Sequence, residues 1–207
     1  MAVKELLGQL HEVAECPRKQ LERYLGEGRR VIAMAPVYGP QEIVHSMGLV
    51  PMGVWGADVE INEAKKYYPA FICSVMQTIL ELGIKGEYKG VSAIIIPSLC
   101  DSLKTLGQNW KYAVADIPFI PMTYPQNRKQ DYGIKFTRAG YGRVISSLEV
   151  ATGARFSEPA LVKSNAIYNE HNRVMREFAE IASYAYITAT QRSDVFKSAW
   201  FMTVEEH

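Results

Sequence analysis

Ala93-Ile94-Ile95-Ile96-Pro97-Ser98-Leu99-Cys100-Asp101-Ser102 decides how the chain is read. A short β-branched run bounded by Pro and Ser has the pattern of a strand buried on both faces, as in a parallel sheet. Asp101 or Ser102 then supplies an N-cap for a helix over about Leu103 to Ala115. Cys100 therefore stands at the carboxyl end of a strand and the amino end of a helix. Ligands of open α/β sheets gather at that edge. The positive end of a helix also favours a thiolate over a thiol. Cys73 offers a second thiol in a comparable setting, at the start of the apolar segment Ala70-Phe71-Ile72-Cys73-Ser74-Val75-Met76.

Outward from that stretch, strands and helices alternate. Residues 3–25 carry apolar positions at helical spacing, and Pro17 divides them into two helices. Arg30 to Ala35 reads as a first buried strand and Pro36 to Pro40 as a loop. Pro40 opens a helix through Met47, and Gly48 caps it. Leu49 to Trp55 gives a short strand that Pro51 confines to a sheet edge. Residues 56–69 are loop-like, and a helix over Ala70 to Leu82 is ended by Gly83 and Gly86. Pro118 to Met122 is a last short strand. This order predicts parallel βαβ units with right-handed crossovers, an α/β Rossmann-like sheet flanked by helices.

Beyond Pro125 the strands stop. Residues 134–152 and 158–182 read as long helices, the second with a stripe of Leu161, Ala166, Ile167, Val174, Phe178 and Ile181. Residues 187–202 form a final amphipathic segment with Ser193 or Asp194 as its cap. The boundary is expected between residues 125 and 134, dividing an α/β part over 1–128 from a helical part over 129–207, with a single domain as the alternative if those helices pack back onto the sheet.

Composition excludes several classes. The chain has 207 residues, 48% hydrophobic, and a formal net charge of +1. Its basic residues are scattered, which argues against nucleic acid as a partner, because neutralising phosphates needs a clustered basic surface. No stretch approaches the roughly 20 apolar residues of a membrane span. The N-terminus lacks a secretory core, and three cysteines indicate a reducing compartment, the cytoplasm by default. Phosphate-binding glycine motifs are absent.

Soft thiolates suit zinc and iron–sulfur clusters. Cys73 and Cys100 are far apart in sequence with no Cys-x-x-Cys pair, unlike a zinc ribbon, yet separate loops can each contribute one ligand. Read singly, Cys73 is more often a small buried hydrophobe than a ligand. Cys16, beside Pro17, is the third thiol and a poor ligand by position. Glu42 and His45 lie one helical turn apart beyond the first strand, as candidate acid–base groups or as ordinary surface and capped residues. Arg128 follows the last strand on a further loop at that edge, where it is either an anion contact or a solvated arginine.

At these residues the chain resembles the 2-hydroxyacyl-CoA dehydratase and benzoyl-CoA reductase family. Val37-Tyr38-Gly39-Pro40-Gln41-Glu42-Ile43-Val44-His45-Ser46-Met47-Gly48-Leu49-Val50-Pro51 is similar to its first signature. Tyr68-Pro69-Ala70-Phe71-Ile72-Cys73-Ser74 resembles the first cluster-cysteine segment. Pro97-Ser98-Leu99-Cys100-Asp101-Ser102-Leu103, with Gln108-Asn109-Trp110, resembles the second. Pro125-Gln126-Asn127-Arg128 and Tyr168-Asn169 are further points, and Gly53-Val54-Trp55-Gly56 resembles the smaller dehydratase subunit.

The resemblance implies a lyase that eliminates water from a 2-hydroxyacyl-CoA through a ketyl radical, in the cytoplasm of an anaerobe. It implies a [4Fe-4S] cluster on Cys73 and Cys100, Glu42 and His45 as catalytic residues, and Tyr38, Asn109 and Trp110 against the substrate. The implied partners are a second dehydratase subunit, an ATP-dependent iron–sulfur activator protein and the acyl-CoA. Family subunits are longer and carry a third cluster cysteine in a second α/β domain, so the resemblance also implies a truncated subunit whose third ligand lies outside this chain. A benzoyl-CoA reductase-like subunit and a non-catalytic assembly module are the rival expectations.

Overall fold

Alternation along the strands builds two cores, one on each face of a parallel sheet. The structure is a computed structural model and describes residues 3–35 and 38–207, so the start of the loop expected at Pro36 lies outside the described residues. The strands are β1 (Val31–Met34), β2 (Val50–Gly53), β3 (Ala93–Pro97) and β4 (Phe119–Met122), in the order β2-β1-β3-β4 and all parallel. The helices are α1 (Val3–Glu15), α2 (Pro17–Gly26), α3 (Gln41–Ser46), α4 (Ser74–Ile84), α5 (Asp101–Ala113), α6 (Asp131–Thr152), α7 (Glu158–Ile181) and α8 (Ala189–Ser198). The α/β expectation therefore holds.

Because successive strand residues point to opposite faces, Val31, Ala33, Val50, Met52, Ile94 and Ile96 meet the apolar sides of α2, α4 and α5. Ile32, Met34, Ala93, Ile95, Ile120 and Met122 meet α3 and α6. The change of character after Pro125 is real in secondary structure, but the helices beyond it pack back. α6 covers the second sheet face, α7 lies on α3, and α8 lies on α1. No helix among the described residues is long and apolar enough to cross a membrane.

Pro51 sits in edge strand β2, as its missing N–H requires. The other outward amide of that strand, Gly53, donates to the Trp200 carbonyl at 2.7 Å. A Cβ at Gly53 would fall 3.0 Å from Trp200 Cβ, so glycine permits this approach and the edge is covered.

Three local expectations are corrected. α4 begins at Ser74 rather than near Ala70, because Pro69–Ile72 closes a turn first, Ile72 N–H donating to the Pro69 carbonyl at 3.2 Å. Gly83 does not end that helix. It lies within it, where a Cβ would come 2.9 Å from the Trp110 ring, and the left-handed residue is Gly86 at φ 79°. α8 is capped by Thr188 in a reciprocal box with Gln191, five residues before the expected Ser193. Asp194 is thereby placed inside the helix and buried.

Candidate functional site

Strand order brings two thiols to one edge. The chain steps in one direction from β2 to β3 and from β3 to β4, so right-handed crossovers put α4 and α5 on the same sheet face. Both helices contribute to the same core and pack on each other. Both start at the carboxyl edge of the sheet, and each is preceded by a cysteine. Cys73 is the N-cap of α4 and Cys100 the N-cap of α5, and both are exposed.

Cys100 itself takes the capping role expected of Asp101 or Ser102. Its backbone is extended (φ −139°, ψ 169°), its carbonyl accepts from Lys104 N–H, and its Sγ accepts from Leu103 N–H at 3.4 Å. Asp101 is displaced into the first turn, where it pairs with Lys104 at 3.1 Å. The Cys73 carbonyl receives the Met76 and Gln77 amides, while its sulfur makes no capping hydrogen bond. A helix amino end stands at both positions, and an amide donor reaches the sulfur at Cys100 alone of the two.

The segment leading to Cys73 is anchored on both sides. Asn109 Nδ2 donates to the Tyr67 carbonyl at 2.7 Å, joining α5 to this segment. Glu81 of α4 reaches back to accept the Ala64 amide at 2.7 Å. Tyr68 is buried, and its hydroxyl meets no partner among the described residues. Burial pushes that phenol up, and the charge of Cys73 pushes it further, so it is a protonated O–H beside the thiol. Sequence reasoning quoted Tyr68 only as part of a motif, and nothing in the pattern singled out its orphaned hydroxyl.

A cleft of roughly 630 Å³ opens at the same sheet edge, between the loop after β1 and α6. Tyr38, Glu42, Tyr124, Arg128, Arg138 and Tyr141 line it. Tyr38 holds a left-handed backbone (φ 63°), uncommon for a side chain with a Cβ. Its carbonyl accepts from the Tyr124 hydroxyl. Burial pushes the Tyr124 phenol up, helped by Tyr141 and by the charge of Glu42. The order β2-β1-β3 reverses direction between β1 and β3, and such a switch point opens a crevice for ligands.

The other expected site residues lie elsewhere. His45 shares a short helix with Glu42 but turns onto α7. Its Nδ1 lies 2.8 Å from Ser164 Oγ and its Nε2 2.7 Å from Glu205, with the ring edge-on to Tyr168 at 5.6 Å. Both ring nitrogens are engaged in joining α3, α7 and the last turn, so His45 is directed away from the cleft that Glu42 lines. Trp110 is fully buried, its Nε1–H donating to the Ile117 carbonyl at 3.0 Å. It is a core residue. Asn109 spends its amide on Tyr67, which makes it a positioning residue. Cys16 is half-buried at the α1–α2 junction, in a cavity walled by Trp55 and Gly56.

The family described as 2-hydroxyglutaryl-CoA dehydratase, D-component, matches residues 36–207. The chain is 42% identical over 199 residues to the (R)-phenyllactyl-CoA dehydratase beta subunit of Clostridium sporogenes, covering 95% of this chain and 53% of that protein. It is 42% identical over 209 residues to the lactoyl-CoA dehydratase subunit beta of Anaerotignum propionicum, covering 99% and 55%. It is 34% identical over 211 residues to the (R)-2-hydroxyglutaryl-CoA dehydratase subunit beta of Acidaminococcus fermentans, covering 100% and 56%. The chain thus spans little more than half the length of these curated relatives.

Proposed function

Because the chain belongs to the 2-hydroxyglutaryl-CoA dehydratase D-component family, we propose that it forms the cluster-bearing part of the β-type subunit of a 2-hydroxyacyl-CoA dehydratase-like hydro-lyase. The observation that carries this reading is the pair of exposed thiols, Cys73 and Cys100, capping two adjacent helices at one sheet edge.

The donors fit an iron–sulfur group. They are soft sulfur ligands, aided by helix dipoles and by the Leu103 amide on Cys100. Tyr68 adds an unpartnered buried O–H beside Cys73, suited to donating toward sulfur. Two thiolates fill part of the four-cysteine set that a [4Fe-4S] cluster commonly uses, so the remaining coordination comes from outside these residues. When bound, such a cluster supplies an electron at low potential and a Lewis-acidic iron for a thioester oxygen, the chemistry that water elimination through a ketyl radical requires.

The chain's own residues do the positioning. Asn109 and Glu81 fix the segment that presents Cys73. Glu42 holds a proton acceptor at the wall of the neighbouring cleft, where Arg128 and Arg138 offer positive charge to an acyl-CoA phosphate. A second subunit completes the pocket, and an ATP-dependent activator in the same cytoplasm delivers the electron. The dehydratase names of the relatives at 42% identity support elimination of water as the reaction.

The test is anaerobic isolation with and without a co-expressed second subunit, with iron and acid-labile sulfide measured. Cys100→Ser should lose the iron yet keep the wild-type circular dichroism and unfolding midpoint, since the change is small and the side chain is exposed. Iron content unchanged in both Cys73→Ser and Cys100→Ser would end the assignment.

A further inference from the structure

Away from the thiol edge, α1 and α8 meet at a cluster of three metal-ligating side chains. His11 and Glu15 stand one turn apart on α1 and so share a face. Asp194 faces them from α8. One ligand atom from each residue lies within 4.8 Å of both others. Zinc–nitrogen and zinc–oxygen bonds of about 2.0–2.2 Å separate two ligand atoms on a tetrahedral ion by about 3.3–3.6 Å. His11 and Glu15 are exposed, so their side chains are free to rotate toward that spacing.

Asp194 supplies an independent observation. It is only 2% exposed. Its Oδ2 lies 2.8 Å from His11 Nδ1, while its buried Oδ1 meets no donor among the described residues. Lys197, one turn further along α8, forms no ion pair with it among the described residues. Burying a carboxylate with half of its acceptor capacity unused is costly, and buried charges are ordinarily paired or bound to metal. An ion at this point would satisfy both oxygens at once. One imidazole and two carboxylates suit a borderline divalent ion of the zinc, iron or manganese class.

We propose that His11, Glu15 and Asp194 form a site for a divalent transition-metal ion that staples α1 to α8. His11 and Glu15 are exposed, so the remaining coordination positions open to water. The bound ion joins residues 183 positions apart in sequence. This site is separate from Cys73 and Cys100 and does not depend on the function proposed above.

The test uses the full chain, stripped of metal and titrated with Co²⁺ for its absorption spectrum and with Zn²⁺ for unfolding temperature. Co²⁺ on nitrogen and oxygen ligands gives d–d bands without thiolate charge transfer, which separates this site from any ion held by cysteine. We expect such a spectrum, retained in the double variant Cys73→Ser/Cys100→Ser and lost in His11→Gln. Zn²⁺ should raise the unfolding temperature of the wild type, increasingly with concentration, and not that of His11→Gln. Glu15→Gln, an exposed change that leaves the fold intact, should weaken binding without abolishing it. A Co²⁺ spectrum with thiolate bands only, or Zn²⁺ stabilisation equal in wild type and His11→Gln, would overturn the site and leave a simple His11–Asp194 ion pair.

Discussion

Glu81→Ala tests whether the segment that presents Cys73 is held from beneath. Glu81 has no exposed surface, accepts the Ala64 amide at 2.7 Å, and pairs with Lys85 at 3.0 Å. Removing the carboxylate leaves the Ala64 amide buried and unpaired, a loss of about 1–3 kcal/mol. The Lys85 side chain is 42% exposed, so solvent screening limits its share to at most about 1 kcal/mol. Relief of burying a charge offsets part of the sum, and a net loss of about 1–3 kcal/mol remains. With a urea slope of about 2–3 kcal/mol per molar, the midpoint should fall by about 1 M. Hydrogen exchange at the Ala64 amide and alkylation of Cys73 should both accelerate, because the connector opens before the sheet. The acid limb has a defined sign. Burial alone would raise the Glu81 carboxyl, but the Ala64 amide and Lys85 outweigh it and hold the group below its ordinary range. Its contribution is therefore complete above the unfolded carboxylate pKa of about 4.3 and is lost as pH falls through the folded value. A midpoint shift under about 0.2 M, together with unchanged exchange at Ala64, would refute the reasoning.

Trp110→Phe should cost about 1–2 kcal/mol, chiefly from the unpaired Ile117 carbonyl, and Trp110→Ala about 3–5 kcal/mol. Thermal unfolding checks both, and a Trp110→Phe protein that keeps its iron shows that the ring belongs to the core. His171 and His207 form a neutral pair in which His171 Nε2–H donates to His207 Nδ1 at 2.9 Å and His207 Nε2–H donates to the Val195 carbonyl. Burial holds both imidazoles below their ordinary range, and the neighbouring His207 adds to this at His171. Their stabilising effect is full above the unfolded histidine pKa of about 6.5 and is lost as pH falls through the folded values. Hydrogen exchange in residues 195–207 should rise below that pH, and a flat profile between about pH 7 and 5 would contradict the pairing.

Local patterns and long-range partners divide what the chain discloses. The β3 run and the helix after it were legible because an Ile-rich segment stopped by Pro and Ser has few other uses. The cap was misplaced by one residue, since a sulfur accepting from Leu103 carries no pattern signal. The surroundings of His45 and Trp110 are hidden from the sequence for a different reason. Their partners are Ser164 and Glu205, 119 and 160 positions away, and the sheet-packed interior around Gly83. A polar or aromatic residue in a motif has the same spelling whether it faces a ligand or a neighbouring helix. Asp194 shows the reverse case, a residue that reads as an exposed helix cap until α1 covers it.

The meeting of the two thiols depends on topology more than on the cysteines. Each cysteine lies at a helix start, but that alone permits opposite faces of the sheet. The chain first moves outward from β1 to β2, then crosses past β1 to β3 and continues to β4. The last two steps share a direction, so handedness places α4 and α5 together and aligns their amino ends. A strand order with β3 outside β2 and β4 on the far side of β1 would reverse the β2-to-β3 step. It would send α4 to the other face, away from α5, with the same residues at every cap. The edge proline in β2, which cannot donate to a further strand, and the Trp200 carbonyl on Gly53 close that outer position. The covering of β2 therefore protects the site's geometry as well as the sheet's edge.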